Sequence, residues 1–168
     1  MSARRTLSSL ALTLSIAACA KPAEQTAAAP AAVDSAAVTA AVADLWQRWI
    51  VADTSGNVDA LVSMVTDSVR VDLRGMPPML GRAAWKAGAE ASYKAAKYTA
   101  MTIMPNMTVA VTNELAYQTG DYTEGATAAG KSTMDYGRFA GAIRKDADGQ
   151  WRIAYIMVFA DSTVPVKK

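Results

Sequence analysis

Histidine is absent from this 168-residue chain, cysteine occurs once and phenylalanine twice. Without histidine the commonest general base near neutral pH and the commonest metal ligand are both missing. A dehydratase site built on a His–Asp pair and a Ser–His–Asp triad are therefore excluded. A single cysteine permits no intrachain disulfide, and once that cysteine is modified no soft metal site remains. The carboxylates are scattered without the spacing of a calcium loop. Neither a nucleophile elbow nor a phosphate-cradling loop is present. No metal and no cofactor are expected. Charge of one sign is also lacking: setting aside Arg4 and Arg5, which lie in a leader, the remaining Lys and Arg balance the 15 Asp and Glu. Such a chain carries no electrostatic footprint for nucleic acid.

What is there begins with that leader. Arg4 and Arg5 precede an uncharged apolar-to-small run, Leu7 to Ala18. At about twelve residues it is too short for a membrane-spanning helix, which needs roughly 20, and it reads as a signal peptide closed by small residues. Ile16-Ala17-Ala18-Cys19 resembles the lipobox of bacterial lipoproteins, in which the cysteine becomes the acylated first residue. The competing reading, an ordinary signal peptide with a chance cysteine, would leave an unpaired thiol in an oxidising compartment. Lipidation at Cys19 implies a durable membrane anchor, since each buried methylene contributes about 0.8 kcal/mol. Ala20 stands where a lipoprotein retained in the inner membrane more often carries Asp, which implies the outer membrane, facing the periplasm. Residues 20–34 are rich in Ala and Pro, with Val33 their one large apolar side chain, and read as a spacer. The expected division is a signal peptide over 1–18, a tether over 19–34, one domain over 35–162 and a tail over 163–168.

Within the domain, helices come first and strands afterwards. Asp34 or Ser35 can cap a helix whose stripe is Val38, Val42, Leu45, Trp46, Trp49 and Ile50, ended by Gly56-Asn57. Asn57 caps a short second helix over Val58–Val65, with Asp59 in its first turn. Ser68–Leu73 alternates as a strand, and Gly75-Met-Pro-Pro forms a turn. A third helix is predicted over Gly81–Tyr98, with Trp85, Ala89, Ser92 and Ala96 on one face. Lys86, Glu90 and Lys94 pair on its outside. Strands follow over Met101–Thr112, Leu115–Glu124, Thr133–Lys145 and Trp151–Ala160, joined by hairpin turns at 113–114 and 146–149. The pattern is α+β.

The ordered set Gly56-Asn-Val-Asp-Ala-Leu-Val62, Asp67-Ser-Val-Arg-Val-Asp72, Gly75-Met-Pro-Pro-Met-Leu-Gly-Arg82, Leu115–Tyr122, Gly137-Arg-Phe139 and Arg144–Ile153 resembles the nuclear transport factor 2-like superfamily. The nearest likeness is to its SnoaL-like branch. The resemblance implies three N-terminal helices packed into a curved, mostly antiparallel sheet, forming a cone with an apolar pocket. It does not select a function, because one fold hosts isomerases, dehydratases and pure binders. In ketosteroid isomerase-like members the general-base aspartate precedes a Gly-x-Pro-Pro-x-x-Gly-Arg stretch, and Asp72 matches that position. The oxyanion partners of such enzymes fall here at Trp49 and at Gly141, which has no side chain, and losing one oxyanion donor costs about 10²–10³ in rate. Alternation along the strand turns Val69, Val71 and Leu73 inward and Arg70, Asp72 and Arg74 outward, and the competing reading of Asp72 is a surface aspartate paired with Arg70 or Arg74.

A pocket for an apolar ligand would be lined by Trp46, Trp49, Met64, Tyr122, Tyr136, Tyr155, Met157 and Phe159, with Asp53 either a helix-end charge or an acid at its mouth. The competing reading for the whole set is simple core. The late strands carry apolar residues on both parities (Ile153, Tyr155, Met157 against Ala154, Ile156, Val158), and family members often pair through the outer sheet face, so a homodimer is expected. The favoured function is an envelope domain that binds a small apolar molecule or a partner without catalysis. The alternative is an isomerase, cyclase or hydratase with Asp72 as base.

Overall fold

A computed structural model describes residues 32–166. The leader, Cys19 and the tether up to residue 31 lie outside the described residues.

The first helix, α1 (Ser35–Ser55), starts where the Asp34 carboxylate accepts the Ala37 amide at 3.0 Å. It ends at Gly56, whose left-handed backbone (φ 70°) returns its amide to the last carbonyls. Asn57 caps α2 (Val58–Ser63) through the Ala60 amide. The chain then enters β1 (Val65–Leu73), turns, adds the two-residue β2 (Met79–Leu80) and forms α3 (Arg82–Ala95). Four long strands complete it: β3 (Lys97–Thr112), β4 (Leu115–Ala128), β5 (Lys131–Lys145) and β6 (Trp151–Pro165). They run as an antiparallel meander, and β1 joins β6 in parallel, giving the sheet order β2-β1-β6-β5-β4-β3. The fold is the expected α+β arrangement of three helices on a curved sheet, open and mixed in strand direction.

Several boundaries differ from expectation: α2 stops at Ser63, β1 begins at Val65 and β6 runs on to Pro165, while the changes at the end of α3 and along β3, β4 and β5 share one cause. The third helix stops at Ala95 because Lys97 and Tyr98 already pair with Thr127 and Ala126. That pairing exists because β4 and β5 extend to a tight turn at Ala129-Gly130, both with positive φ (49° and 77°), the geometry that joins two-residue hairpins. Alanine at such a position gives no sequence signal for the turn.

The apolar stripe of α1 lies on the concave face of the sheet. Val42, Leu45, Val65, Val69, Ile143 and Ile153 are buried there. The Trp46 ring meets Phe139 edge-on at 5.4 Å, and its indole N–H donates to Gln118. Gln118 in turn donates to the Thr108 hydroxyl at 2.8 Å, so the buried polar atoms of this layer are satisfied in series.

One irregularity decides what the sheet presents inward. On β6, Ile153 pairs with Ile143 but Tyr155 pairs with the adjacent Ala142, leaving Ala154 as an extra residue, a β-bulge. The alternation therefore shifts by one. Trp151 and Ile153 point to the core, and beyond the bulge Ile156, Val158 and Ala160 face the cavity described below.

Candidate functional site

Where the packed core ends, α1, α3 and the inner sheet face separate and enclose a cavity of about 350 Å³. That is within the range of small-molecule sites. Three tryptophans form one wall: Trp46 and Trp49 meet edge-on at 6.1 Å, and Trp49 stacks on Trp85 at 5.8 Å. Opposite them stand Met101 and Ile103 of β3, Tyr122 of β4, Phe139 of β5, and Ile156 and Val158 of β6. The aromatic rings of β4 and β5 fit because each lies over a glycine of its neighbour. Phe139 is paired with Gly120 and Tyr122 with Gly137; a β-carbon on Gly137 would fall 2.5 Å from the Tyr122 ring. Gly141, where a late-strand acid of an isomerase would fall, has no room for any side chain. A β-carbon there would lie 2.7 Å from the Tyr155 carbonyl oxygen, beside the bulge.

The polar groups of the cavity gather at one place. Asp53, in the last turn of α1 and one turn beyond Trp49, is 5% exposed. Its Oδ1 accepts the Tyr93 hydroxyl of α3, while its Oδ2 has no partner. Burial raises the Asp53 carboxyl pKa, opposed by the Tyr93 hydrogen bond. Burial and the same contact push the Tyr93 hydroxyl up. Tyr93 packs on Tyr98 of β3 with ring centres 4.7 Å apart, and Tyr98 shares a hydrogen bond with Ser92. Glu124, two residues beyond Tyr122 on the same face of β4, also lines the cavity. Its carboxyl is pushed up to about 7 by desolvation, with the charges of Asp53 and Asp135 adding to the shift. Asp135 sits across from Glu124 on β5, with Oδ1 unpartnered. Tyr122 is raised to about 12 by burial and by the nearby acids Glu124, Asp135 and Asp161. The indole N–H of Trp85 is likewise buried without a partner. Arg74 is the one basic residue lining the cavity, and it donates to the Ala160 carbonyl at 3.0 Å. Among the described residues, no group of three or more His, Cys, Asp or Glu is placed to hold a metal ion.

Four of the residues singled out from sequence meet in this cavity: Trp46, Trp49, Asp53 and Tyr122. The others are elsewhere. Asp72 is not a cavity residue. Strict alternation holds through the end of β1, so Val71 and Leu73 face in, while Asp72 faces out with its carboxylate 2.9 Å from the Arg70 guanidinium. That hydrogen bond holds the Asp72 carboxyl below the usual carboxylate range, the opposite of what a base needs. Met64 closes α2 and is buried in the core. Tyr136 lies on the outer face, 46% exposed. Tyr155, Met157 and Phe159 are also outside the cavity, because the Ala154 bulge gives the inner face to Ile156, Val158 and Ala160.

Glu124, Tyr93 and Tyr98 were not anticipated. Glu124 was within reach of sequence reasoning. It continues the parity of Ala116, Gln118, Gly120 and Tyr122, and a carboxylate on a buried parity is a site signal. Tyr93 lies beside the Trp85–Ala89–Ser92 face, but the assumption that the helix ran to Tyr98 hid Tyr98 as a strand residue.

A curved sheet wrapped around helices, with an aromatic cavity holding acids at one side, defines a cone-shaped α+β cavity protein. Residues 34–156 match the SnoaL-like domain family, and the chain belongs to that family, within the nuclear transport factor 2-like superfamily. Solved structures share the fold at low identity. A ketosteroid isomerase-like protein from Erwinia carotovora atroseptica is 17% identical with a TM-score of 0.67, over 73% of this chain and 95% of that one. A scytalone dehydratase-like protein from Novosphingobium aromaticivorans is 13% identical with a TM-score of 0.66, over 79% and 90%. A hexachlorocyclohexane dehydrochlorinase from Novosphingobium barchaimii is 13% identical with a TM-score of 0.67, over 78% and 91%. No curated protein matches the sequence.

Proposed function

We propose that this protein is an outer-membrane lipoprotein, held through Cys19 and facing the periplasm, whose domain binds a small, largely apolar molecule in the α1–α3–sheet cavity. The observation that carries the binding reading is the cavity itself: about 350 Å³, walled by Trp46, Trp49, Trp85, Tyr122 and Phe139, with the carboxyls of Asp53 and Glu124 among its few polar groups. Apolar walls supply affinity, and a few fixed polar groups supply orientation. The anchor reading is supported by the Arg4-Arg5 and Leu7–Ala18 leader and the Ile-Ala-Ala-Cys run that closes it.

Binding is tested with N-phenyl-1-naphthylamine, a neutral fluorophore that brightens in apolar surroundings. It should saturate on the wild type and fail on Ala89→Phe, which places a ring in the cavity where Ala89 is buried. Circular dichroism establishes that the variant is folded. No saturable signal from the wild type, or the same signal from both, refutes the reading.

A second reading, acid–base chemistry on the bound molecule, is favoured by one observation: Glu124, not Asp72, is the carboxyl raised into the neutral range inside the cavity. Such a group should exchange the α-protons of a bound ketone with solvent. Deuterium uptake into 4-phenyl-2-butanone, absent with Glu124→Gln, is the corresponding measurement.

A further inference from the structure

The cavity's charge is one-sided, and this restricts what fits it. Asp53 is 5% exposed, lines the cavity and leaves Oδ2 without a donor. Glu124 lines the same space, and Asp135 stands opposite it in register on β5. The single basic lining residue, Arg74, already donates to a backbone carbonyl. Tyr93, whose hydroxyl meets Asp53, lines the cavity with Tyr98 and Tyr122, and the stacked Trp49 and Trp85 line it as well. A buried carboxylate lacking a donor costs stability unless something supplies an N–H or O–H. Aromatic walls attract a cation and are indifferent or repulsive to an anion.

Resting on the binding function proposed above, we infer that the cavity selects a protonated amine carrying an apolar, aromatic-sized body, its ammonium N–H groups directed at Asp53 Oδ2 and Glu124. A neutral molecule of the same shape leaves the acids uncompensated, and a carboxylate is repelled by them. The groups lining the cavity around the ammonium are Asp53 from α1, Tyr93 from α3, Tyr98 from β3 and Tyr122 and Glu124 from β4, with Asp135 of β5 behind them as the cross-strand neighbour of Glu124 and Arg74 lining the cavity just past β1. An ammonium there favours the ionised form of Glu124, so amine binding strengthens as pH rises while the amine itself stays protonated.

The test is a fluorescence titration of the tryptophans of the full-length protein with 2-phenylethylamine and with 2-phenylethanol. The two share a body and differ in charge, and both donate a hydrogen bond. The amine should bind at least tenfold more tightly than the alcohol at pH 8, and this preference should shrink on lowering the pH to 5.5. Glu124→Gln and Asp53→Asn should each reduce the preference for the amine over the alcohol at pH 8. The wild-type pH series needs no variant, so a misfolded substitution does not leave the question open. Equal affinity for amine and alcohol at pH 8, or a preference that ignores pH, overturns the inference. In that case saturable alcohol binding leaves the apolar-binding function standing. Failure of both ligands together with the naphthylamine probe overturns both.

Discussion

Glu124→Gln gives the sharpest quantitative test of the cavity electrostatics. Raising a carboxyl from 4.5 to about 7 means the folded protein holds the proton more tightly than the unfolded chain does. Stability associated with that group is therefore present in full below about pH 4.5 and is lost progressively as pH rises through 7. At 1.36 kcal/mol per pKa unit, the loss is about 3 kcal/mol. The substituted amide does not titrate, so the variant should escape this loss. Whatever fixed cost the amide carries appears equally at every pH, so the informative quantity is the difference between variant and wild type across the range. Urea denaturation at half-unit intervals from pH 4.5 to 8 supplies it. The variant should gain on the wild type by about 3 kcal/mol over that interval, with most of the change between pH 5 and 7. The salt-bridged acids Asp72 and Asp161 have depressed pKa values, so they act below this window and do not blur it. A stability difference that stays flat from pH 5 to 8 would show that Glu124 is hydrated and ordinary in the folded state, and the account of the cavity as a desolvated acidic site would fail.

Other expectations are simpler. Gln118→Leu strands the Trp46 indole N–H in the core and should cost about 1–3 kcal/mol in chemical denaturation; no loss would mean that bond is not made. Gly137→Ala forces a β-carbon into the Tyr122 ring and the Phe159 carbonyl, and should lower the melting temperature by the equivalent of about 1–3 kcal/mol of overpacking. Asp72→Asn should leave cavity binding unchanged, because its carboxylate serves Arg70 on the outer face; a lost ligand response would contradict that placement. Cys19→Ser should move the protein out of the membrane fraction or leave unprocessed precursor, and an unmodified Cys19 in the mature wild-type mass would refute the anchor. The outer sheet face, with Tyr117, Tyr136 and Phe159 exposed, is the surface on which a homodimer is proposed. Sedimentation at high concentration that yields one domain's mass would refute it.

The sequence made the layout legible because its signals were local: the Asp34 and Asn57 caps, the stripe through Trp46 and Trp49, and the Gly75–Pro78 turn each specify their own element. It made the site only half legible. Trp46, Trp49 and Asp53 were accessible because a helix repeats without interruption, so one correct residue phases all the rest. Strands do not have that protection. Extrapolating from Ile153 along β6 gives Tyr155, Met157 and Phe159 an inward role that one extra residue at position 154 removes. The bulge leaves no mark in the amino-acid types, since the residues on both parities beyond it are apolar. Asp72 was suggested by its place before the Pro-Pro turn, yet the alternation of β1 had already placed it outside.

The bulge also makes the capacity of the cavity a matter of strand register. With Ala154 present, the inner face of β6 offers Ile156, Val158 and Ala160, the last of them very small. Drawing Ala154 into the ladder as an ordinary paired residue, so that it and not Tyr155 stood opposite Ala142, would slide the register by one and turn Tyr155, Met157 and Phe159 inward, three bulkier side chains delivered to the same positions. The space would shrink or close without any substitution in its lining. Deleting Ala154 outright would instead leave the same inner face, since Tyr155 would then follow Ile153 on the outward parity, so the binding volume is set by how residue 154 is accommodated in the ladder.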